Sequence, residues 1–348
     1  MKCSWSVLIV ELIFGKQIAG RDICQVLKVA GFYRTGRDRH IDKNRRLHFN
    51  VSKHYGNLPM DYISKRVLAA HDLSGFGHTS LLAAIAILYR MGIRVAALPT
   101  AMLSANTDHE GFSFRPFDDG MKDFIAHWQE LGLRFDAAYT GFLGSPDQVD
   151  SIIEAIKTLV DPKGFVLVDP VLGDQGKLYS CFDLSMVKAM KKLIKHADLI
   201  TPNATEAAIL LNEDLLEDPD VEWDAIACRL SRLGPSKVVI TSIPTRLPDI
   251  RLCGVYDKSG DRWDEVIFPV NKGTHPGIGD CFASFLLAGM LGKHSLKQSV
   301  RGAAGLINFA LQIEEPKGYS WREGLQLEKL LALDYDLDSF YRSSRRKK

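Results

Sequence analysis

Residues 66–99 read RVLAAHDLSGFGHTSLLAAIAILYRMGIRVAALP, and their pattern sets the fold. RVLAAH has the β-branched and apolar character of a strand. TSLLAAIAILYRMG has helical periodicity and ends at a glycine, and IRVAALP is strand-like again. The same alternation continues downstream. DAAYTG (136–141), FVLVDP (165–170), ADLITPN (197–203) and KVVITS (237–242) are short strand signals stopped by Gly, Pro or Asn. SPDQVDSIIEAIKTLV (145–160) and DLSMVKAMKKLIKH (183–196) are helical between them, and RLCGVYDKSGDRWDEVIF (251–268) reads as a hairpin turning at KSGD. β and α units alternating over roughly 270 residues predict an α/β fold: a three-layer sandwich with a mostly parallel central sheet flanked by helices. In such sheets ligands collect beyond the carboxyl ends of the strands. Asp72, Asp169, Asn203, Thr241 and Asp280 are therefore the polar residues of interest.

Charge is uneven along the chain of 348 residues. Residues 1–59 hold 11 Lys and Arg against 4 Asp and Glu, residues 60–341 hold 28 against 38, and the end reads RSSRRKK. The acidic body argues against nucleic-acid binding, which draws its affinity from neutralised phosphates. The expected organisation is a basic leader over 1–59 (disordered or an over-extended start), a folded domain over 60–335, and a basic tail over 336–348. SVLIVELIFG (6–15) is interrupted by Glu11 and is too short to span a bilayer, so neither secretion nor a membrane partner is expected. Six scattered cysteines (3, 24, 181, 228, 253, 281) form no CxxC pair and suit a reducing cytosol, hence a cytoplasmic protein.

Gly75-x-Gly77 follows a strand and opens a helix, but Ser80 stands where a dinucleotide fingerprint needs its third glycine. GMLGKHS fails the Walker A spacing. The sharper signal is Gly277-Ile278-Gly279-Asp280, which runs directly into the apolar CFASFLLAGML. Two glycines permit a tight turn, and the amides of a helix start lack intrahelical partners, which makes an anion pocket suited to phosphate. Asp280 is then an N-cap or a catalytic base. VLVDPVLGDQG places Asp169 and Asp174 near a strand end, as a water-mediated Mg²⁺ site or as ordinary turn formers. Asn203 and Glu206, three apart, form a capping box. His71, His78 and His109 lack metal-ligand spacing.

Taken in order, SGFGHTS, LSANT, TGFLGSP, VDPVLGDQGKLY, ITPNATEA, VVITS and GIGDCFAS resemble the pyridoxal/pyridoxamine kinases of the ribokinase superfamily over about residues 64–312. That resemblance implies a homodimer that uses ATP and Mg²⁺, with a monovalent cation such as K⁺, to phosphorylate the hydroxymethyl group of a vitamin B6 form. It implies that Asp280 is the base, with the Gly277, Ile278 and Gly279 amides as the anion hole. Asp72 and Thr107 would hold the pyridine ring. Asp169, Asp174, Asn203 and Glu206 would form the nucleotide and cation region with Thr201, and Tyr179, Thr241 and Ser242 would line the phosphates. For the metal specifically, the resemblance implies Asp174, Thr201 and Glu206. Ile278 stands where threonine is usual, Asp72 replaces serine, Asn106 histidine and Phe142 tyrosine. The SGFG loop (74–77) and Asp72 together resemble a bacterial pyridoxamine-kinase subgroup, which implies an amine-bearing ring facing Asp72, where a carboxylate would favour an aminomethyl cation over an aldehyde. The alternatives are a hydroxymethylpyrimidine kinase, whose relatives often carry cysteine at the base position, and a catalytically weak ligand-sensing homologue.

Overall fold

The computed structural model describes residues 64–213, 221–246, 250–269, 275–313, 318–332 and 337–342. The expected leader over 1–59 and the basic residues 343–348 lie outside the described residues. Among those described, nine strands form one sheet: β1 (Arg66–Ser74), β2 (Arg94–Leu103), β3 (Phe114–Pro116), β4 (Phe135–Thr140), β5 (Val160–Val168), β8 (Leu199–Ile200), β9 (Lys237–Ile243), β10 (Ile250–Asp257) and β11 (Arg262–Pro269). Their spatial order is β11-β10-β9-β8-β5-β4-β1-β2-β3. The pairs from β9 across to β2 are parallel, while β3, β10 and β11 are antiparallel additions at the two edges. Two short strands, β6 (Gly173–Asp174) and β7 (Lys177–Leu178), make a separate hairpin. The three-layer α/β expectation holds, and so does the hairpin at KSGD.

Strand side chains alternate between two cores, because successive residues point to opposite faces. Leu68, Ala70, Ala138, Val166, Val168, Ile200, Val238 and Ile240 face one core. It is closed by α2 (Asp118–Glu130), α3 (Pro146–Leu159), α4 (Leu184–Leu193), α5 (Ala204–Leu211) and α6 (Trp223–Ser231). Val67, Ala137, Tyr139, Leu167, Leu199 and Val239 face the other, closed by α1 (Ser80–Arg90), α7 (Ile278–Leu291) and α8 (Leu296–Leu311). A final short helix, α9 (Leu327–Ala332), contributes Leu327 and Leu330 to that second core.

The caps follow local chemistry. Ser145 accepts from the Gln148 amide with Pro146 in the first turn, Asp183 accepts from Ser185 and Met186, and Ser295 forms a capping box with Gln298. Packing continues beyond residue 335. The Tyr341 ring occupies the space left by the absent side chains of Gly289 and Gly302, and its hydroxyl donates to the Phe285 carbonyl at 2.7 Å.

Chain direction across the sheet reverses at β1, which has β2 on one side and β4 on the other. That switch point opens a crevice beyond the strand ends. The parallel register aligns Ala70, Thr140, Val168, Ile200 and Val238 in one row. The residues that follow in the first four strands, His71, Gly141, Asp169 and Thr201, therefore come together at the crevice floor.

Candidate active site

α7 begins where the chain reverses. Gly277 takes φ +80°, and a methyl group there would lie 2.6 Å from the His78 carbonyl and 2.9 Å from Thr79 Cα, so only glycine fits. The helical ladder starts with Cys281 N–H donating to the Gly277 carbonyl at 2.9 Å. The amides of the expected set, Gly277, Ile278 and Gly279, precede that ladder together with that of Asp280 and lie at the positive end of the helix dipole. A methyl on Gly279 would meet nothing within 4 Å, so open space adjoins this turn. Cys281 through Gly289 are buried, which anchors the turn in the second core as the apolar sequence predicted.

Asp280 stands over this turn with 16% of its side chain exposed. It does not cap its own helix. Its Oδ2 accepts the backbone N–H of Ser80, the first residue of α1, at 2.8 Å. Two helix starts thus converge on one carboxylate. The Tyr139 hydroxyl at 3.3 Å and the Ser284 hydroxyl at 2.7 Å donate to the Asp280 backbone carbonyl. Burial pushes the Asp280 carboxyl up to about 8, reinforced by the negative charge of Asp72 and, more weakly, Asp169; the Ser80 hydrogen bonds oppose this. The charges that act on it in this way, Asp72 and Asp169, are both carboxylates. Asp72, at the end of β1, is itself buried and raised by desolvation, with the Ser80 and Ser74 hydroxyls offsetting part of the rise.

On the other side of Asp280, Asp169 is buried at the end of β5 and pushed up to about 6 by desolvation, while the Thr201 hydroxyl donates to it at 2.8 Å. The expected capping box is present: Asn203 accepts the Glu206 amide and Glu206 Oε2 accepts the Asn203 amide, each at 2.8 Å. Glu206 Oε1 accepts the Leu172 amide at 3.2 Å, and Asn203 Nδ2 donates to the Gly173 carbonyl at 3.0 Å. These bonds tie the β6–β7 hairpin to α5. Asp174 is exposed on that hairpin. Half-exposed Tyr179 follows it, its phenol raised by burial and by the fields of Glu206, Asp174, Asp169 and Asp280. Thr241 and Ser242 lie in a bulge of β9, where Ser242 takes φ +57° and is exposed at the strand end.

Of the three residues expected to hold metal, Thr201 gives its proton to Asp169 and Glu206 accepts two backbone amides. Asp174 alone presents an exposed carboxylate. Among the described residues no group of three or more His, Cys, Asp or Glu is spaced to hold an ion. Magnesium bound mainly by nucleotide phosphates and water needs no such cage.

Around the ring position, Asn106 is buried and turned into the protein. Its amide donates to the Arg322 carbonyl at 2.7 Å and its oxygen accepts the Asp108 amide at 3.1 Å. Thr107 is exposed, and Phe142 stacks on Phe182 at 5.5 Å. The sequence reading assigned no role to residues 318–326, which strap two loops together, the one at His78 and the one at Asn106 and Asp108. His78 N–H donates to the Glu323 carbonyl at 2.7 Å, His78 Nδ1 meets the Leu325 carbonyl at 2.6 Å, and Arg322 Nε donates to the Asp108 carbonyl at 3.0 Å. Nothing in the local composition of that strap marks it; its partners lie more than 200 residues away.

The fold has counterparts among known proteins. The family model for phosphomethylpyrimidine kinase matches residues 88–323. A Bacteroides thetaiotaomicron protein assigned to the phosphomethylpyrimidine kinases and crystallised with pyridoxal is 41% identical, with TM-score 0.74 over 77% of this chain and 95% of that one. The chain belongs to the pyridoxal kinase family of the ribokinase superfamily. Within that family, the pyridoxal kinase of Lactobacillus plantarum is 32% identical, with TM-score 0.69 over 77% of this chain and 95% of that one. The pyridoxal kinase of Arabidopsis thaliana is 33% identical over 53% of this chain. The match spans 60% of the Arabidopsis protein and 48% of a relative from Schizosaccharomyces pombe. No helix among the described residues is long and apolar enough to cross a membrane.

Proposed function

We propose that this family member transfers the γ-phosphoryl group of ATP to the hydroxymethyl oxygen of a vitamin B6 form. The observation that carries the reading is Asp280, held by the Ser80 amide at the lip of an uncommitted helix start. Asp280 takes the hydroxyl proton as the acceptor oxygen bonds to the γ-phosphorus. The bond from that phosphorus to the β,γ-bridging oxygen breaks, and ADP leaves. Charge on the transferring group is met by the amides of Ile278, Gly279 and Asp280, which are already oriented; one such donor is typically worth ~3 kcal/mol. Ile278 lacks threonine's hydroxyl but keeps this amide. Tyr179, Thr241 and Ser242 line the nucleotide side. Mg²⁺ carried in with the nucleotide would be held through water by Asp174 and Asp169, and would neutralise phosphate charge.

Asp72 extends the reading to substrate choice. A buried carboxylate next to Asp280 is stabilised by an aminomethyl cation and gains little from an aldehyde. Pyridoxamine is the preferred form. The pyridoxal bound to the Bacteroides relative supports a B6 ring in this crevice. Phosphorylation of hydroxymethylpyrimidine is the second reading, favoured by the matching family model and opposed by aspartate, rather than cysteine, at position 280. The decisive experiment measures ATP consumption with pyridoxamine, pyridoxal, pyridoxine and hydroxymethylpyrimidine side by side. Turnover with a B6 form is expected. Turnover only with the pyrimidine selects the second reading, and none at all selects a ligand sensor.

A further inference from the structure

His71 is fully buried, and among the described residues neither ring nitrogen has a hydrogen-bond partner. Desolvation pushes its imidazole down to about 3, so the ring is neutral at working pH and must still carry one N–H in a place where it meets no acceptor. Leu or Phe would fill the same volume without that cost. The ring is instead locked in a defined pose. It packs edge-on against Tyr139 with centroids 4.2 Å apart, and its Nδ1 edge occupies the space where a side chain on Gly141 would lie. That pose leaves Nδ1 3.8 Å from Asp280 Oδ1, the carboxylate oxygen opposite the one bound to Ser80. An approach of about 1 Å makes a hydrogen bond.

We propose that His71 is a positioning residue for Asp280, its Nδ1–H donating to Oδ1 once the carboxylate moves onto it as the site fills, and holding that carboxylate ionised for proton abstraction. The inference rests on the kinase reading for its consequence and on the buried geometry for its existence. The need for such a donor comes from the surroundings. Asp72 on β1 and Asp169 just after β5 face Asp280 with like charge, Tyr139 on β4 spends its hydroxyl on the backbone carbonyl, and among the described residues only the start of α1 supplies a donor to the carboxylate. A neutral imidazole N–H stabilises the ionised form without adding a full charge to the crevice. It also fixes the tautomer, with Nδ1 protonated.

The test has two readouts. In ¹⁵N-histidine-labelled full-length protein, His71 should be neutral from pH 5 to 9 with the proton on Nδ1. A neutral ring protonated on Nε2 overturns the proposal whether or not the protein is a B6 kinase. In pH–rate profiles with ATP and the best B6 substrate, His71→Leu should move the acid limb of kcat up by about one pH unit. His71→Asn, which restores an N–H near the Nδ1 position, should return it toward wild type. Gly141→Ala, which displaces the ring from the other side, should move the limb in the same direction as His71→Leu and serves if that variant does not fold. Superimposable acid limbs across the variants overturn the proposal. An inactive wild type defeats the kinase reading and leaves the tautomer to decide the role of His71.

Discussion

The backbone N–H of Ser80 donates to Asp280 Oδ2 at 2.8 Å, linking the first turns of two helices 200 residues apart in sequence. Ser80 takes φ +49° to do so, an uncommon conformation for a non-glycine residue. The bond turns the carboxylate away from its own helix start, so the amides at that start stay uncommitted while the acid faces the crevice. In the proposed phosphoryl transfer a single residue would then serve both halves, its amide toward the phosphate and its side chain toward the alcohol.

Removing the acid while keeping the shape separates these halves. Asp280→Asn can still accept from Ser80 N–H. Turnover should fall by at least ~100-fold, the scale of a lost acid/base group, with nucleotide affinity within a few-fold of wild type. Initial rates and titration calorimetry with ADP check this. Near-wild-type turnover would remove Asp280 from the chemistry.

The same substitution should stabilise the ligand-free protein. The folded Asp280 carboxyl titrates near 8 and that of Asp169 near 6, both above the unfolded value, so between those limits the native chain holds more protons and stability falls as pH rises. Asparagine at 280 has no such dependence. The gain in Tm over wild type should be small at pH 5 and reach about 5 °C at pH 8.5. Thermal scans across that range would contradict the burial argument if the gain did not change with pH.

The two turn glycines should fail in different ways. Gly277→Ala combines φ +80° with contacts to the backbone of His78 and Thr79, and should cost about 1–3 kcal/mol of stability. Gly279→Ala projects into open space and should leave Tm within about 1 °C, yet lower kcat/KM for ATP because the methyl enters the phosphate's position. Denaturation and kinetics on both variants distinguish folding from function.

On the proposed reading, Asp72 would set the charge met by the substrate's ring substituent. Asp72→Ser should lower the ratio of kcat/KM for pyridoxamine over pyridoxal by about tenfold or more, the scale of one hydrogen bond to a charged group. An unchanged ratio would take Asp72 out of substrate selection.

The alternation of strands and helices was legible because its signals are local: a β-branched run, a glycine stop, a capping box such as Asn203 with Glu206. The glycine turn at 277–279 and the burial of α7 were legible for the same reason. Pro99 read as the end of a strand, but β2 runs on to Leu103, and the shift of register opposite His71 and Leu73 absorbs the proline. Asn106 stands where the resembled family has histidine, and its amide is committed to the Arg322 carbonyl. Thr201 and Glu206 read as ligands for an ion, and their polar atoms hold the frame together.

Sequence by itself determined the α/β layering, the glycine turn at the start of α7 and the residue types available for chemistry, since each follows from interactions among near neighbours along the chain. Tertiary structure alone decided that Asp280 faces the crevice, that Asp72, Asp169 and His71 share its field, and that residues 318–326 bind the ring loops. Those outcomes come from burial and from hydrogen bonds between segments as much as 200 residues or more apart, where no local periodicity or spacing carries the information.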